Sequence, residues 1–341
     1  QNTGWTDCIG SGSGGSPAGS NTQIQFNNSG SFGANAGLTF DSSTQTLGLN
    51  GTDAEINMQG ITNEPSSPSS GTLNLYAKSI GGRMMPKWQG PSGLDTPIQP
   101  FMGTNKVGLW NPPGNAATVP GVFGFTAFTA SGTATARNVA TTNLFTRTRR
   151  LGYVYSTAGT NVVGGARVAV AQYTVGDGSG LGGFYLASTF GQSDTITTAR
   201  MFVGMTSATG APTTVEPSTL TNAIGVGCGA ADTSLKIFYG GSAAQTPISL
   251  GANFPCDTAS GSQDLYELVL FAPTNVNNAV NYRVRRLGTT YEASGTLTAA
   301  TPGTQLPSST TLLAWRGWRA TSGTSGSPAI DLVNIYIETD Y

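Results

Sequence analysis

The chain has 341 residues, none of them histidine; 48 are glycine, a tenth are charged, and the formal net charge is −1. Without histidine there is no Ser/His/Asp or Cys/His nucleophile and no Cys/His zinc cluster, and without clustered Lys and Arg there is no field to draw nucleic acid or an anionic membrane. No apolar stretch reaches the ~20 residues that cross a bilayer, and the opening residues lack the pattern of a secretory leader, so the composition describes a structural or recognition protein with no enzymatic activity, no cofactor and no metal.

Taken in chain order, residues 1–21 are a docking and linker segment. The run from Gly10 to Gly19 is Gly and Ser with one Pro and one Ala, which cannot bury apolar area. Trp5 and Ile9 are the sizeable apolar groups ahead of it, which makes them the candidate anchors into a neighbouring protein. Residues 22–80 carry apolar pairs two positions apart, Ile24 and Phe26, Leu38 and Phe40, Leu47 and Leu49, Ile56 and Met58, Leu73 and Leu75, each bounded by Asn, Gly, Ser or Asp. That spacing predicts short strands and tight turns. Two apolar residues per strand enclose no core in one chain, so the segment reads as a slender β-stalk completed by symmetric association, a homotrimer. Residues 81–121 are proline-rich, and the Trp110-Asn-Pro-Pro-Gly114 motif forbids helix, which predicts a rigid neck.

From 122 to 341 the strands lengthen, with candidates at 122–130, 166–174, 183–190, 200–206, 235–239, 264–271, 280–287, 311–318 and 330–338. Gly, Asn, Pro and Ser punctuate them, and the one departure is a short turn at 216–222. So many antiparallel strands predict an all-β head, a two-sheet sandwich with jelly-roll topology. Cys8, Cys228 and Cys256 are odd in number and widely spaced, which favours buried thiols, with a Cys228–Cys256 bridge as the alternative.

Several constellations bear on chemistry. Gly176-Asp-Gly-Ser-Gly180 lacks the further ligands of a calcium loop and the lysine of a phosphate loop, so it reads as a turn. Arg147, Arg149 and Arg150, and Arg283, Arg285 and Arg286, are the densest basic clusters; on strands, Arg147 shares a face with Arg149 and Arg283 with Arg285, fitting a solvated outer sheet face, an acidic sugar or a neighbouring subunit's carboxylate. Glu267, Glu292, Asp232 and Asp264 are the acids that a carboxylate-pair glycoside hydrolase would need, and nothing in their spacing pairs them. Trp315-Arg316-Gly317-Trp318-Arg319 is the strongest recognition candidate. Alternation sends Trp315 to the core and places Arg316 beside Trp318 on the other face, a sugar-stacking ring next to a hydrogen-bonding fork, unless that face lies in a trimer interface.

The run from Gly19 to Phe40 resembles the β-repeat that tailed-phage fibre and receptor-binding proteins place before their heads. Residues 134–151, with Arg137-Asn-Val-Ala-Thr-Thr-Asn-Leu-Phe145, and 215–247 are similar to a C-terminal module of tailed-phage structural proteins, which ends in an Ile-Glu-Thr-Asp-Tyr tail as residues 337–341 do. The resemblance implies a lectin-like jelly-roll head and a homotrimeric virion fibre, assembled in the host cytoplasm. It implies docking to other virion proteins through the N-terminus and attachment to a host-surface glycan or protein. It carries no assigned receptor residues. A purely architectural virion component (head fibre, decoration or collar protein) is the alternative, and a glycan-degrading tailspike the third reading.

Overall fold

The computed structural model describes residues 19–90, 95–97, 106–117, 122–125, 128–256 and 261–339, with backbone alone at 95–97. The chain divides into two compact units, 1–59 and 60–341, whereas the composition sets boundaries at 80/81 and 121/122. Among the described residues no helix is long and apolar enough to cross a membrane.

The first unit holds β1 (Gln23–Asn28), β2 (Ser31–Asp41) and β3 (Thr46–Leu49) in one antiparallel sheet. The apolar pairs of the sequence generate it by alternation. Phe40 lies opposite Leu47 and Leu38 opposite Leu49, so these four share a face. Gln23 lies opposite Thr39, which puts Ile24 on that same face; the register then shifts before Gln25, and Phe26 lies opposite Gly33. No described residue of the unit covers the shared face: Phe40 is 41% exposed and Leu47 is 59% exposed. Ile56 and Met58 form no strand.

The second unit opens with the hairpin β4 (Asn74–Ile80) and β5 (Arg83–Gln89), joined on its edge by β6 (Asp95–Pro97). There follow β7 (Lys106–Trp110), β8 (Phe128–Ser131), β9 (Thr133–Ala136), the one-turn helix α1 (Leu144–Arg147), β10 (Leu151–Val154), β11 (Val163–Val168), β12 (Phe184–Gln192) and β13 (Arg200–Thr206). The remaining strands are β14 (Ala223–Cys228), β15 (Lys236–Gly240), β16 (Ile248–Ser249), β17 (Leu265–Ala272), β18 (Ala279–Arg286), β19 (Glu292–Thr298), β20 (Ala314–Ala320) and β21 (Ala329–Thr339). One sheet runs β19-β18-β17-β12-β21-β10-β9, with β7 also on β21; the other runs β16-β15-β14-β13-β20-β11-β8. Packed face to face, they make a jelly-roll sandwich, and the fold is all-β.

Period-2 alternation builds the core. Leu186, Leu268, Leu270, Val284, Ile335 and Ile337 point inward from one sheet, Val168, Met201, Val203, Ile224, Val226 and Trp315 from the other, all buried in one cluster. Trp110 belongs to the same cluster, which corrects the neck reading. β7 pairs with the second half of β21, and the indole stacks on Phe128 (5.8 Å between centroids), which stacks in turn on Trp315 (6.0 Å). Proline density around residue 110 hides the strand, because only the pairing partner, more than two hundred positions away, identifies it. Residues 166–174 are strand only to Val168, and Val170 beyond it is exposed.

Two features of the interior are not local in sequence. Cys228 at the end of β14 and Cys256 form a disulfide across a separation of 28 residues, correcting the free-thiol expectation; a count of three cysteines cannot say which pair the fold brings together. Closing a loop of that size restricts the unfolded chain by about 3–4 kcal/mol. The fully reduced protein should therefore melt roughly 6–16 °C lower than the oxidised one. Calorimetry with and without reductant, with thiols titrated at the end, checks this; an unchanged midpoint after complete reduction would refute it. The second feature is a buried ion network. Asp331 on β21, with no exposed surface, accepts from Arg150 Nε at 2.9 Å, Arg137 Nε at 3.1 Å and Ser193 Oγ at 2.8 Å.

Candidate binding site

The sequence-predicted residues fall as follows. Alternation on β20 holds: Trp315 enters the main core, and Arg316 and Trp318 share the opposite, outward face. That face is not open. Trp318 is 1% exposed, in a second apolar cluster with Phe202, Ala223, Phe238 and Ala320, and Leu220 packs against it. Leu220 belongs to residues 207–222, which cross the outside of the seven-stranded sheet as a strap. Arg316 donates to the Gly210 carbonyl, Arg167 to that of Thr209 at 2.9 Å, and Arg200 to Glu216 at 2.6 Å, so three arginines fasten the strap over the tryptophan. The expectation of a solvent-facing Trp318–Arg316 platform is thereby corrected: both side chains are buried within one chain. The anchors Trp5 and Ile9 lie outside the described residues.

The basic clusters also resolve into structure. Arg147 closes α1 and is on no strand, because Asn143 caps that turn by accepting from Thr146 N while the Thr146 hydroxyl accepts from Asn143 N. Arg150 is buried on Asp331, Arg283 pairs with Glu267 at 2.7 Å and Arg286 with Asp264 at 2.8 Å, while Arg285 stays exposed. Asp232 pairs with Lys236 at 2.5 Å and Glu292 lies 3.8 Å from Arg285. Each acid considered for hydrolysis thus has a cation within 4.0 Å, with Arg283 shared between Glu267 and Glu292. In the 176–180 segment, Asp177 accepts from Ser179 N at 2.7 Å and Leu181 N at 3.0 Å, and these bonds hold its carboxyl below the usual range; it is a turn. No group of three metal-binding side chains occurs among the described residues.

What the fold does bring together lies on the outer face of the eight-stranded sheet. The β4–β5 turn docks there through Gly81 and Gly82, at φ +59° and +88°. A Cβ on Gly81 would stand 2.5 Å from Val269 and one on Gly82 2.6 Å from Asn281, so the turn touches the sheet with bare backbone. Arg83, the next residue, lies over the Tyr185 ring at 5.2 Å and pairs with Glu338, which also accepts from the Tyr336 hydroxyl. Burial is the main cause that pushes the Tyr185 phenol up to about 12, so it stays a neutral donor.

A shallow cleft opens on either side of this turn. One, about 240 Å³, is lined mainly by polar groups, among them Ser79, Asn281, Arg283, Glu292, Ser294 and Thr296. The other, about 350 Å³, sets the Tyr185–Phe271 ring pair, 6.4 Å between centroids, beside Arg83, Asn275, Thr274 and Glu338. An apolar ring edged by a guanidinium, an amide and a carboxylate suits a polyhydroxylated ligand, whose C–H faces stack while its hydroxyls take the polar groups. Sequence reading missed this cleft because its members come from four separate segments, and the only local signal is the Gly81-Gly82 turn.

No family model matches the chain, and no curated protein matches it. Among solved structures, it is similar to arcelin-5, a lectin-like defence protein of Phaseolus vulgaris, at 11% identity and a TM-score of 0.41 over 69% of this chain and 98% of that one. Peanut lectin aligns at 12% identity and 0.42 over 69% of this chain and 97% of the lectin. The CBM2 module of the evolved Dit protein of Lactobacillus casei BL23 phage J-1 aligns at 14% and 0.36 over 72% and 94%. Similarity at these scores decides nothing about the site; the sandwich assignment rests on strand order and inward-facing residues.

Proposed function

We propose that this protein is a homotrimeric phage virion fibre that attaches to host-surface glycan through its β-sandwich, without hydrolysing it. The observation that carries the reading is the apolar face of β1–β3, where Ile24, Leu38, Phe40, Leu47 and Leu49 lie together with no covering layer among the described residues of that unit. A second and third copy of the face is the occupant with matching chemistry, and the run that forms it is the one resembling phage fibre repeats. Residues 1–21, with Trp5 and Ile9, dock the fibre to the particle. The cleft of Tyr185, Phe271 and Arg83 takes the glycan. The disulfide suits a particle surface exposed outside the cell.

Native mass measurement of the full chain should give three copies, and an array of host-surface saccharides should give binding. Phe271→Ala, which removes a ring at the cleft, should weaken that binding up to about tenfold while the trimer persists. A single-copy mass overturns the fibre architecture. A trimer that binds no saccharide and no host cell overturns attachment and assigns the chain an architectural role in the particle.

A further inference from the structure

The strap over the seven-stranded sheet is fastened in part by a pair of arginines that breaks the rule the rest of the molecule follows. The other two buried arginines are neutralised, Arg150 on Asp331 and Arg319 on Asp194 at 2.8 Å. Arg167 and Arg316, by contrast, stand directly opposite one another on β11 and β20, two like charges in adjoining positions of one ladder. Their acceptors are the carbonyls of Thr209 and Gly210 and the Ser131 hydroxyl (3.2 Å from Arg167 Nη1), all neutral. Arg316 is 6% exposed, and its Nε is buried with no acceptor at all. Burial, and then the Arg167 charge, pull the Arg316 guanidinium down to about 10. An uncompensated buried cation beside a second cation is unfavourable, and an anion relieves both charges at once. Ala208, Gly210 and Ala211 of the strap are exposed, so the pair lies just beneath the surface.

We infer that Arg167 and Arg316 form an oxyanion-binding site beneath the strap, fitted to the carboxylate or sulfate group of an acidic saccharide or to a free inorganic oxyanion. Two adjacent guanidinium forks with a spare Nε–H present the donor geometry such a group accepts. The site is on the opposite sheet from the Tyr185–Phe271 cleft and does not depend on glycan binding there.

The test compares melting temperatures of the full chain in sodium glucuronate, sodium sulfate and sodium chloride at matched ionic strength. Relative to chloride, the binding anion should raise the midpoint by about 5–11 °C once it is ~100-fold above its Kd. A rise with glucuronate alone assigns a saccharide carboxylate, a rise with sulfate alone a free inorganic oxyanion, and either supports the site. Arg316→Met, which keeps the bulk and removes the charge, should abolish the rise relative to its own midpoint in chloride. Arg167→Gln, at the less buried partner, reads the same loss if the first variant fails to fold. No rise with either anion in the unaltered protein, or an undiminished rise in the variants, overturns the inference.

Discussion

Asp331→Ala should lower the melting temperature of the sandwich by roughly 6–20 °C. The carboxylate has no exposed surface and is the shared acceptor of Arg137, Arg150 and Ser193. Removing it strands Arg150, itself 7% exposed, with only the carbonyls of Phe145, Thr146 and Thr148 to receive its other donors. Breaking a buried pair on one side costs about 3–5 kcal/mol, and a domain approaching this size loses ~2–4 °C per kcal/mol. Asp331→Asn, which keeps the shape and one acceptor, should fall between the two. Calorimetry of both variants checks the ordering. An alanine variant within about 2 °C of the parent would mean that the two guanidiniums reach solvent without cost, and the network would then have no structural weight.

Trp318→Ala should be as damaging as Trp315→Ala. Both indoles are buried, one between the sheets and the other between the seven-stranded sheet and the strap, and truncating a buried aromatic costs about 3–5 kcal/mol. Loss of Trp318 also removes the surface on which Leu220 packs, so the strap should loosen with it. Thermal midpoints of the two variants, with proteolysis mapped to residues 207–222, give the comparison. If Trp318→Ala melts like the parent and only host binding falls, the strap does not cover the ring in the working protein, and the exposed platform expected from strand alternation is correct after all.

That contrast marks where reading the chain stops. Alternation assigns Trp315 inward and Trp318 outward from a seven-residue window, and the structure keeps both assignments. Whether an outward face meets water is settled by a different segment, and no period-2 pattern in 314–320 contains it. The pairs Ile24/Phe26, Leu38/Phe40 and Leu47/Leu49 yield β1–β3 for the same local reason, while in Glu292–Thr298 the alternating residues are mostly small, Ala293, Gly295 and then Leu297, so the period carries little apolar weight and pairing with β18 is what sets the strand against the core.

Composition and local alternation therefore determine by themselves that the chain is all-β, that it lacks histidine-based catalysis, that a sparse N-terminal sheet precedes a long-stranded sandwich, and which side of each strong strand is apolar. Turn chemistry and the two-residue period are properties of neighbours in sequence. Tertiary structure alone decides that Trp110 belongs to the core, that Cys228 meets Cys256, that Asp331 gathers partners 181 and 194 positions away, and that Arg167 and Arg316 face each other without an acid. Each of these is a contact between segments whose relative placement follows from packing two sheets and covering their outer faces, and that packing minimises exposed apolar area over the whole chain, a sum that no short window of residues carries.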